Sequence, residues 1–296
     1  MDLLYVHWHM NPELLRIGSF AIRWYGLLFV SGFILGYWMF TKFFDREHLD
    51  KDILDPLLYT LLIGTLVGAR LGHCIFYQPD YYFGSWKGFL EIFMVWKGGL
   101  ASHGGTIVLF FAMIWFAHKY GKKNHIDFVW ILDHLVIPVA FAATFIRLGN
   151  LCNSEIYGHT TSLPWGFIFD LRGETEPKHP TQLYEALTYL FLGFFLLWLY
   201  WKRLDKTYRG TFIGIFFIVC FGMRFLIEFV KEPQVAFEEG MALNMGQILS
   251  IPFVLLGIGF LVYAYTRKIP ARAIVPDKTT PPRPSVSHAK PVSRKD

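Results

Sequence analysis

Long apolar stretches separated by short polar segments run through most of this chain. Seven of them reach the length of about 20 residues that a helix needs to cross a bilayer. They lie at about 18–40, 53–77, 98–117, 129–148, 180–201, 210–230 and 246–266. The pattern predicts an all-α, polytopic integral membrane protein with seven transmembrane helices. The segment at about 149–179, between the fourth and fifth spans, is predicted to lie outside the bilayer.

The two ends of the chain carry different patterns. Residues 1–16 have neither the basic start nor the short apolar run of a secretory signal peptide, so the first span is expected to be retained. Residues 269–296 are rich in proline and basic residues and lack apolar periodicity, which predicts a disordered cytoplasmic tail. Residues 1–268 are then expected to form one transmembrane domain.

Composition and charge support this assignment and orient it. Of the 296 residues, 54% are hydrophobic and 17% are charged, against roughly 25% charged in soluble domains. Eighteen of the 28 Lys and Arg follow the first, third and fifth spans or lie in the tail, and six lie in the opposite loops. Because cytoplasmic loops are richer in Lys and Arg, the N-terminus is predicted outside and the C-terminus in the cytoplasm. The net charge of +5 follows from this asymmetry, so nucleic-acid binding is not indicated.

Four arginines remain, and all of them lie inside predicted spans: Arg23, Arg70, Arg147 and Arg224. A charge within a span costs at least about 2.5 kcal/mol at the centre on insertion scales, so it marks a functional-site hypothesis. In the predicted orientation all four belong to the outer half, where they would form a cationic pocket at the depth of phospholipid headgroups. Arginines near helix ends also snorkel to the interface, and Arg224 is spaced to form an ion pair with Glu228, so a structural role stays open.

One histidine is a further candidate. His103 lies between Gly98–Gly99 and Gly104–Gly105, whose small size lets backbone or substrate approach closely. Because imidazole titrates near neutral pH, His103 is a candidate base.

Metal binding is not expected. His7 and His9 are close in sequence, but no third ligand is evident, and no other cofactor is indicated. The cysteines have no paired spacing, and we interpret all three as packing residues. They are Cys74, Cys152 and Cys220.

Several segments together resemble one family. In chain order they are RWYGLLF (23–29), GARLGH (68–73), GGLASHGG (98–105), IRLGNLCNSEIYG (146–158), HPTQLYE (179–185), RFLIEFVKEP (224–233) and NMGQILSIP (244–252). Their order and spacing resemble the phosphatidylglycerol–prolipoprotein diacylglyceryl transferases of bacteria. The pattern RxGNxxNxExxG, from Arg147 to Gly158, is the most specific of them.

The resemblance implies an activity, its partners and a location. Such enzymes are seven-helix proteins of the bacterial cytoplasmic (inner) membrane with an outside N-terminus. They transfer the diacylglyceryl group of phosphatidylglycerol to the lipobox cysteine thiol in the signal peptide of a prolipoprotein. The product is a thioether, and glycerol 1-phosphate departs.

The resemblance also implies residue roles. Arg147 and Arg224 would clamp the phosphate, and His103 would act as the base or orient the thiol. Further contacts to the headgroup, or support for those contacts, are implied for Tyr25, Asn150, Asn153, Glu155, Gly158, Gln182, Tyr184, Glu185 and Glu228; the arginine count adds Arg70. The family often has a tyrosine about one turn before the last arginine, where this chain has Cys220 and Phe221.

Three further classes of protein fit the sequence less well. Arginines within spans also line anion transporters and channels, but here the polar residues are expected on one side only, with no polar path to the cytoplasm. A non-catalytic scaffold would explain the hydrophobicity but not four arginines at one depth. An intramembrane protease would need a GxSG motif or paired aspartates, and neither is found.

Overall fold

The computed structural model describes residues 5–18, 20–95, 98–232 and 241–273. Within these ranges the chain forms nine α-helices and four short strands. The helices are α1 (Trp24–Glu47), α2 (Leu54–Phe76), α3 (Pro79–Phe83), α4 (Trp86–Glu91), α5 (Ser102–Asn124), α6 (Phe128–Cys152), α7 (Thr181–Arg203), α8 (Thr211–Ile227) and α9 (Met245–Arg267). The strands are β1 (Val6–Trp8), β2 (Glu13–Ile17), β3 (Phe20–Arg23) and β4 (Phe167–Phe169).

The seven long helices overlap the seven predicted spans. Among the described residues six of them, α1, α2 and α6 to α9, are long and apolar enough to cross a membrane. Helix α5 has 23 residues, but it begins with Ser102 and His103 and ends on two lysines and an asparagine, which lowers its mean hydropathy. The predicted helical membrane class is confirmed, with six helices that meet the requirements for a span.

The predicted start of the first span is wrong. Residues 13–23 form an antiparallel hairpin of β2 and β3, and α1 begins only at Trp24. Gly18 has a φ of 61° in the turn, a conformation that glycine adopts at little cost. Strand β1 pairs in parallel with β4, with Val6 opposite Phe167. The N-terminal residues therefore lie against the segment between α6 and α7.

Glycines allow close approach in three helix pairs. A Cβ at Gly32 of α1 would lie 2.9 Å from the Cβ of Ala142 of α6. One at Gly68 of α2 would lie 2.6 Å from the carbonyl oxygen of Gly104 of α5. One at Gly257 of α9 would lie 2.9 Å from the carbonyl oxygen of Gly214 of α8. Small residues at such contacts are typical of helix packing in membranes.

A buried polar cluster closes one end of the bundle. Glu47, at the end of α1, accepts hydrogen bonds from Trp130 Nε1 at 3.0 Å, His134 Nε2 at 2.6 Å, Tyr200 Oη at 2.9 Å and the backbone N–H of Ala273 at 2.7 Å. The ends of α1, α7 and the segment after α9 thus meet the start of α6. We call these five residues the Glu47 cluster.

Helix α8 starts at the same end of the bundle. The carboxylate of Asp133 on α6 accepts from the backbone N–H groups of Gly210 and Ile213 at 2.6 and 2.9 Å. These N–H groups lack partners within their own helix, so Asp133 caps α8 from a neighbouring element.

Two predictions are wrong at the end of the bundle that contains the Glu47 cluster. Buried polar residues are not confined to the opposite side, because Glu47, Asp133 and His134 are each at most 1% exposed. The predicted tail also begins too early: Ala271 N–H donates to the Thr207 carbonyl at 2.8 Å, and Ala271 and Ala273 are buried. The remainder of that predicted tail, residues 274–296, lies outside the described residues.

Candidate active site

Five charged side chains are linked at the other end of the bundle. Arg147 of α6 pairs with Glu185 of α7, which also pairs with Lys231 at 3.4 Å. Lys231 pairs in turn with Glu228 at 2.9 Å, and Glu228 with Arg224 of α8 at 3.6 Å. We call this series the ion-pair chain. The structure thereby joins Arg147 and Arg224, which lie far apart in the sequence, as predicted.

The end of α8 gives the ion-pair chain its shape. The α-helix stops at Ile227, and Glu228–Val230 form one tighter 3₁₀ turn. Asn244 Nδ2, just before α9, donates to Glu228 Oε2 at 3.1 Å. Asn244 also exchanges side-chain to backbone hydrogen bonds with Gln247, which is a capping box. The start of α9 thus fixes the Glu228 carboxylate.

A loop after α6 extends this site. Arg147 donates to Asn150 Oδ1 at 3.1 Å, and Asn150 Nδ2 donates to Glu155 Oε1 at 2.8 Å. Asn153 Nδ2 donates to the same oxygen at 3.2 Å. Hydrogen bonds therefore join the predicted residues Asn150, Asn153 and Glu155 into one polar group, and Asn150 connects this group to Arg147.

The same loop has an unusual backbone. Ser154 and Ile156 have φ values of 51° and 63°, and for a β-branched isoleucine this left-handed conformation is an outlier. The loop is held by Thr181 Oγ1, which donates to the Ile156 carbonyl at 2.8 Å, and by Gln182 Nε2, which donates to the Glu155 carbonyl at 2.7 Å. Backbone strain of this kind persists only where surrounding contacts impose it, and it is enriched at functional sites.

Gly158, implied as a headgroup contact, and Gly149 both lie close to protein atoms. A Cβ at Gly149 would lie 2.8 Å from Cδ2 of Tyr25. A Cβ at Gly158 would collide with the carbonyl oxygen of Val230, and Gly158 forms an antiparallel bridge with Lys231. Gly158 therefore sets the backbone position of Lys231, and Gly149 sets that of Tyr25. Tyr25 is within electrostatic range of Arg147 and Glu155.

Tyr184 lies outside the ion-pair chain. Its hydroxyl accepts from Trp165 Nε1 at 2.9 Å and lies 3.1 Å from Nδ1 of His179. Burial lowers the pKa of the His179 imidazole, with a further contribution from His159. Gln182, by contrast, is fully buried and bonded to the loop as described, so of these two predicted residues it is the one that supports the Glu155 backbone.

Arg70 and Arg23 are not joined to the other two arginines by any ion pair among the described residues. The Arg70 guanidinium is 3% exposed and donates to the carbonyl oxygens of Glu91, Ile92, Gly98 and Gly99. Arg23 is exposed in β3, opposite Glu13, and precedes the first span. Among the described residues, ion pairs thus link only Arg147 and Arg224 of the four, and the convergence of Arg70 and Arg23 with them stays a prediction.

His103 is exposed in the first turn of α5. Within the described part of the chain its ring has no hydrogen bond or ion pair. The following Gly104 packs against Gly68 and Gly72 of α2, and Ala101 N–H donates to the Ala69 carbonyl at 2.8 Å. The glycines beside His103 thus admit a neighbouring backbone, and α2 fixes the position of the imidazole.

A tyrosine hydroxyl lies close to Cys220 although the α8 sequence lacks it. Tyr189 of α7 is 4% exposed and lies within electrostatic range of both the Arg147 guanidinium and the Cys220 thiol.

The histidines near the N-terminus have an acidic neighbour. His7 Nδ1 lies 3.1 Å and His9 Nδ1 3.9 Å from the two carboxylate oxygens of Asp170, which the β1–β4 pairing brings near. Among the described residues no group of three or more potential ligands has an arrangement that would hold a metal ion. The three cysteines are free and buried, as packing residues would be.

Comparison with known proteins identifies the family. Residues 12–263 match the family model of prolipoprotein diacylglyceryl transferase. The chain is 43% identical to the phosphatidylglycerol–prolipoprotein diacylglyceryl transferase of Porphyromonas gingivalis over 280 residues, covering 90% of this chain and 96% of the relative. It is 41% identical to the enzymes of that name from Tolumonas auensis and Bacteroides fragilis, covering 88% and 90% of this chain and 98% of each relative. The chain belongs to the prolipoprotein diacylglyceryl transferase family.

Sequence reasoning about this member of the prolipoprotein diacylglyceryl transferase family missed Lys231 and Tyr189. Lys231 counts among the loop lysines when the apolar window ends at residue 230. A signal for it was present: Arg224, Glu228 and Lys231 stand at positions i, i+4 and i+7, which share one helix face. Tyr189 gave no signal of its own, because one tyrosine in an apolar helix is typical of packing.

Proposed function

We propose that this chain transfers the diacylglyceryl group of phosphatidylglycerol to the lipobox cysteine of a prolipoprotein in the bacterial inner membrane. Family membership supports the reaction. The structure supports the place: an ion-pair chain with two arginines at one end of a bundle that contains six helices suited to a membrane.

The reaction exchanges one bond for another at a glyceryl carbon. The cysteine sulfur attacks the carbon that carries the phosphate ester, the carbon–sulfur bond forms, and the carbon–oxygen bond breaks. The electron pair of that bond leaves with glycerol 1-phosphate, and the thiol proton passes to a base. A thiolate is the effective nucleophile and a free cysteine has a pKa of about 8.5, so a base or a positive field favours the attack.

The arginines suit the leaving group. Negative charge on the phosphate ester increases as the carbon–oxygen bond breaks, and preorganised guanidinium groups in a water-poor site stabilise it. The side chains of Arg147 and Arg224 are 14% and 32% exposed, whereas those of Glu185 and Glu228 are nearly inaccessible. The cations are thus more accessible than their carboxylate partners, as an anionic ligand requires. His103, exposed and unbonded within the described residues, is our candidate base.

Topology follows from the charge count. We propose that α5 also spans the membrane, which gives seven spans, an outside N-terminus and a cytoplasmic C-terminus. The ion-pair chain then lies at the outer leaflet, where the signal peptide of an exported prolipoprotein arrives. The Glu47 cluster lies at the cytoplasmic end.

An anion pathway through the bundle is not supported by α6. Thirteen positions separate His134 of the Glu47 cluster from Arg147, or about 20 Å of helix. The one polar side chain between them is Thr144, whose hydroxyl bonds to the carbonyl oxygens of Ala140 and Ala186. The two polar ends are therefore separated by an apolar layer along this helix.

The observation that carries the proposal is the ion-pair chain joining Arg147 to Arg224, and a two-substrate assay tests it. Protein purified in detergent is mixed with phosphatidylglycerol and a lipobox peptide. We expect a diacylglyceryl thioether peptide by mass spectrometry and an equal amount of released glycerol phosphate. A peptide with serine in place of the lipobox cysteine is the control. Absence of release above a no-enzyme control, with both substrates present, would overturn the assignment.

A further inference from the structure

Lys231 occupies the centre of the ion-pair chain. Its ammonium lies 3.4 Å from Glu185 Oε1 and 2.9 Å from Glu228 Oε1, and its side chain is 3% exposed. Each of the two carboxylates also pairs with one arginine. Because Lys231 is enclosed by its partners, it does not contact a substrate and acts only through them.

The formal charges of the ion-pair chain show that Lys231 changes its net charge. Arg147 and Arg224 alone would be balanced one to one by Glu185 and Glu228, so the site would be neutral. With Lys231 there are three cations and two carboxylates, which leaves one net positive charge. The phosphodiester of phosphatidylglycerol carries one negative charge.

Glu155 lies beyond Asn150 and has no ion pair among the described residues. Its loop is held by Arg172, which donates to the carbonyls of Asn153 and Ser154.

The backbone around Lys231 is fixed by the site loop. His159 N–H donates to the Val230 carbonyl at 2.9 Å, and Gly158 bridges with Lys231. A residue with a side chain at position 158 would collide with the Val230 carbonyl oxygen. The loop that carries Asn153 and Glu155 therefore also sets the direction in which Lys231 enters the bundle.

We propose that Lys231 is a positioning residue that gives the ion-pair chain its net positive charge. It pairs with Oε1 of each carboxylate, an oxygen that Arg224 shares on Glu228, so that three cations face two carboxylates and the guanidinium groups remain available to a phosphodiester. This inference rests on the proposed transferase function. It predicts a role in binding phosphatidylglycerol that is separate from the chemical step and from binding of the peptide.

The expected effect of removing the Lys231 charge is on the KM for phosphatidylglycerol. A unit charge about 10 Å from a phosphate, at an effective dielectric constant of about 20, changes affinity roughly tenfold. Lys231→Met should therefore raise the KM for phosphatidylglycerol roughly tenfold and leave the peptide KM and kcat within about twofold, because uniform binding affects KM alone. Lys231→Arg keeps the charge and should keep the wild-type KM.

A matched control and a charge reversal separate this role from a structural one. Lys178 pairs with Glu174 and Glu232 in the loop region, outside the ion-pair chain, and Lys178→Met should leave the KM for phosphatidylglycerol unchanged. The double variant Lys231→Met/Glu228→Gln again has one net positive charge and should recover a KM within about threefold of wild type. A residue needed only for packing would show no such recovery.

The outcomes distinguish this inference from the function on which it rests. Wild-type protein that turns over both substrates, together with Lys231→Met at the wild-type KM, overturns the inference alone. If Lys231→Met does not fold, as judged by gel filtration in detergent, the double variant decides: a KM raised tenfold or more overturns the inference. Wild-type protein without turnover overturns the proposed function.

Discussion

Two arginines of similar predicted depth have different bonding partners. Arg147 pairs with a carboxylate and an asparagine side chain and keeps part of its surface accessible. Arg70 donates to four backbone carbonyls between α4 and α5 and is almost fully enclosed. The first arrangement leaves room for an anion, whereas the second holds a segment of the chain in place.

Substitution should separate these two roles. We expect Arg147→Ala to abolish turnover and to leave the protein folded in detergent. Arg70→Ala leaves several buried carbonyls without a donor, so it should lower the free energy of unfolding by roughly 3 kcal/mol or more. Thermal unfolding and turnover well below the melting temperature are measured on both proteins. An Arg70→Ala protein with wild-type stability and no turnover would return Arg70 to the substrate site.

The difference between Arg147 and Arg70 shows which properties of a residue can be predicted from the sequence. Depth along a span is readable from the apolar pattern, so the prediction that Arg147 and Arg224 lie at one end of the bundle is correct. Bonding partners are not readable, because the carbonyls that engage Arg70 lie 21 to 29 residues away in a connecting segment. Lys231 is misplaced for a related reason: a window that ends at residue 230 treats the next lysine as a loop residue.

At the scale of elements, the packing of α2 on α5 connects helix geometry to the site. The contact between Gly68, Gly72 and Gly104 holds the first turn of α5, which carries His103. A side chain at Gly104 would meet backbone atoms of α2, and these have no rotamer by which to move aside. The position of the imidazole therefore depends on residues that never approach a substrate.

Adding one methyl group at Gly104 should show that the position of His103 depends on the contact between α2 and α5. Gly104→Ala is expected to destabilise the protein by about 1–3 kcal/mol, as overpacking does, and to lower kcat by displacing His103. Gly222→Ala is the matched control, since a Cβ at Gly222 of α8 meets no heavy atom within 4 Å. Melting temperature and turnover are compared for the two variants. Equal behaviour of both would show that the α2–α5 contact tolerates a side chain.

Elements are predictable where one physical signal dominates. Six of the long helices among the described residues follow from apolar length and composition alone, whereas α5 has more polar ends. The hairpin of β2 and β3 does not follow from them, because Phe20, Ala21 and Ile22 of β3 fall within the apolar run of the predicted first span. Its strands are recognisable only from their pairing, which a window average does not register.

At the scale of the whole molecule, the orientation in the membrane can be measured directly. The three native cysteines are buried, so single cysteines introduced at exposed positions report their own side. We expect Glu176→Cys, between α6 and α7, to react with an impermeant maleimide in intact cells. Lys206→Cys, between α7 and α8, should react only after permeabilisation. The reverse labelling pattern would invert the proposed topology.

The Glu47 cluster has a consequence for biosynthesis. Its last partner, the N–H of Ala273, follows Glu47 by 226 positions, so a nascent chain inserting its helices in order carries this carboxylate incompletely bonded until residue 273 has been made. His134 can join it once α6 has been made, Tyr200 after α7, and the final donor only after α9. Assembly of this end of the bundle is therefore completed by one of the last described residues to leave the ribosome.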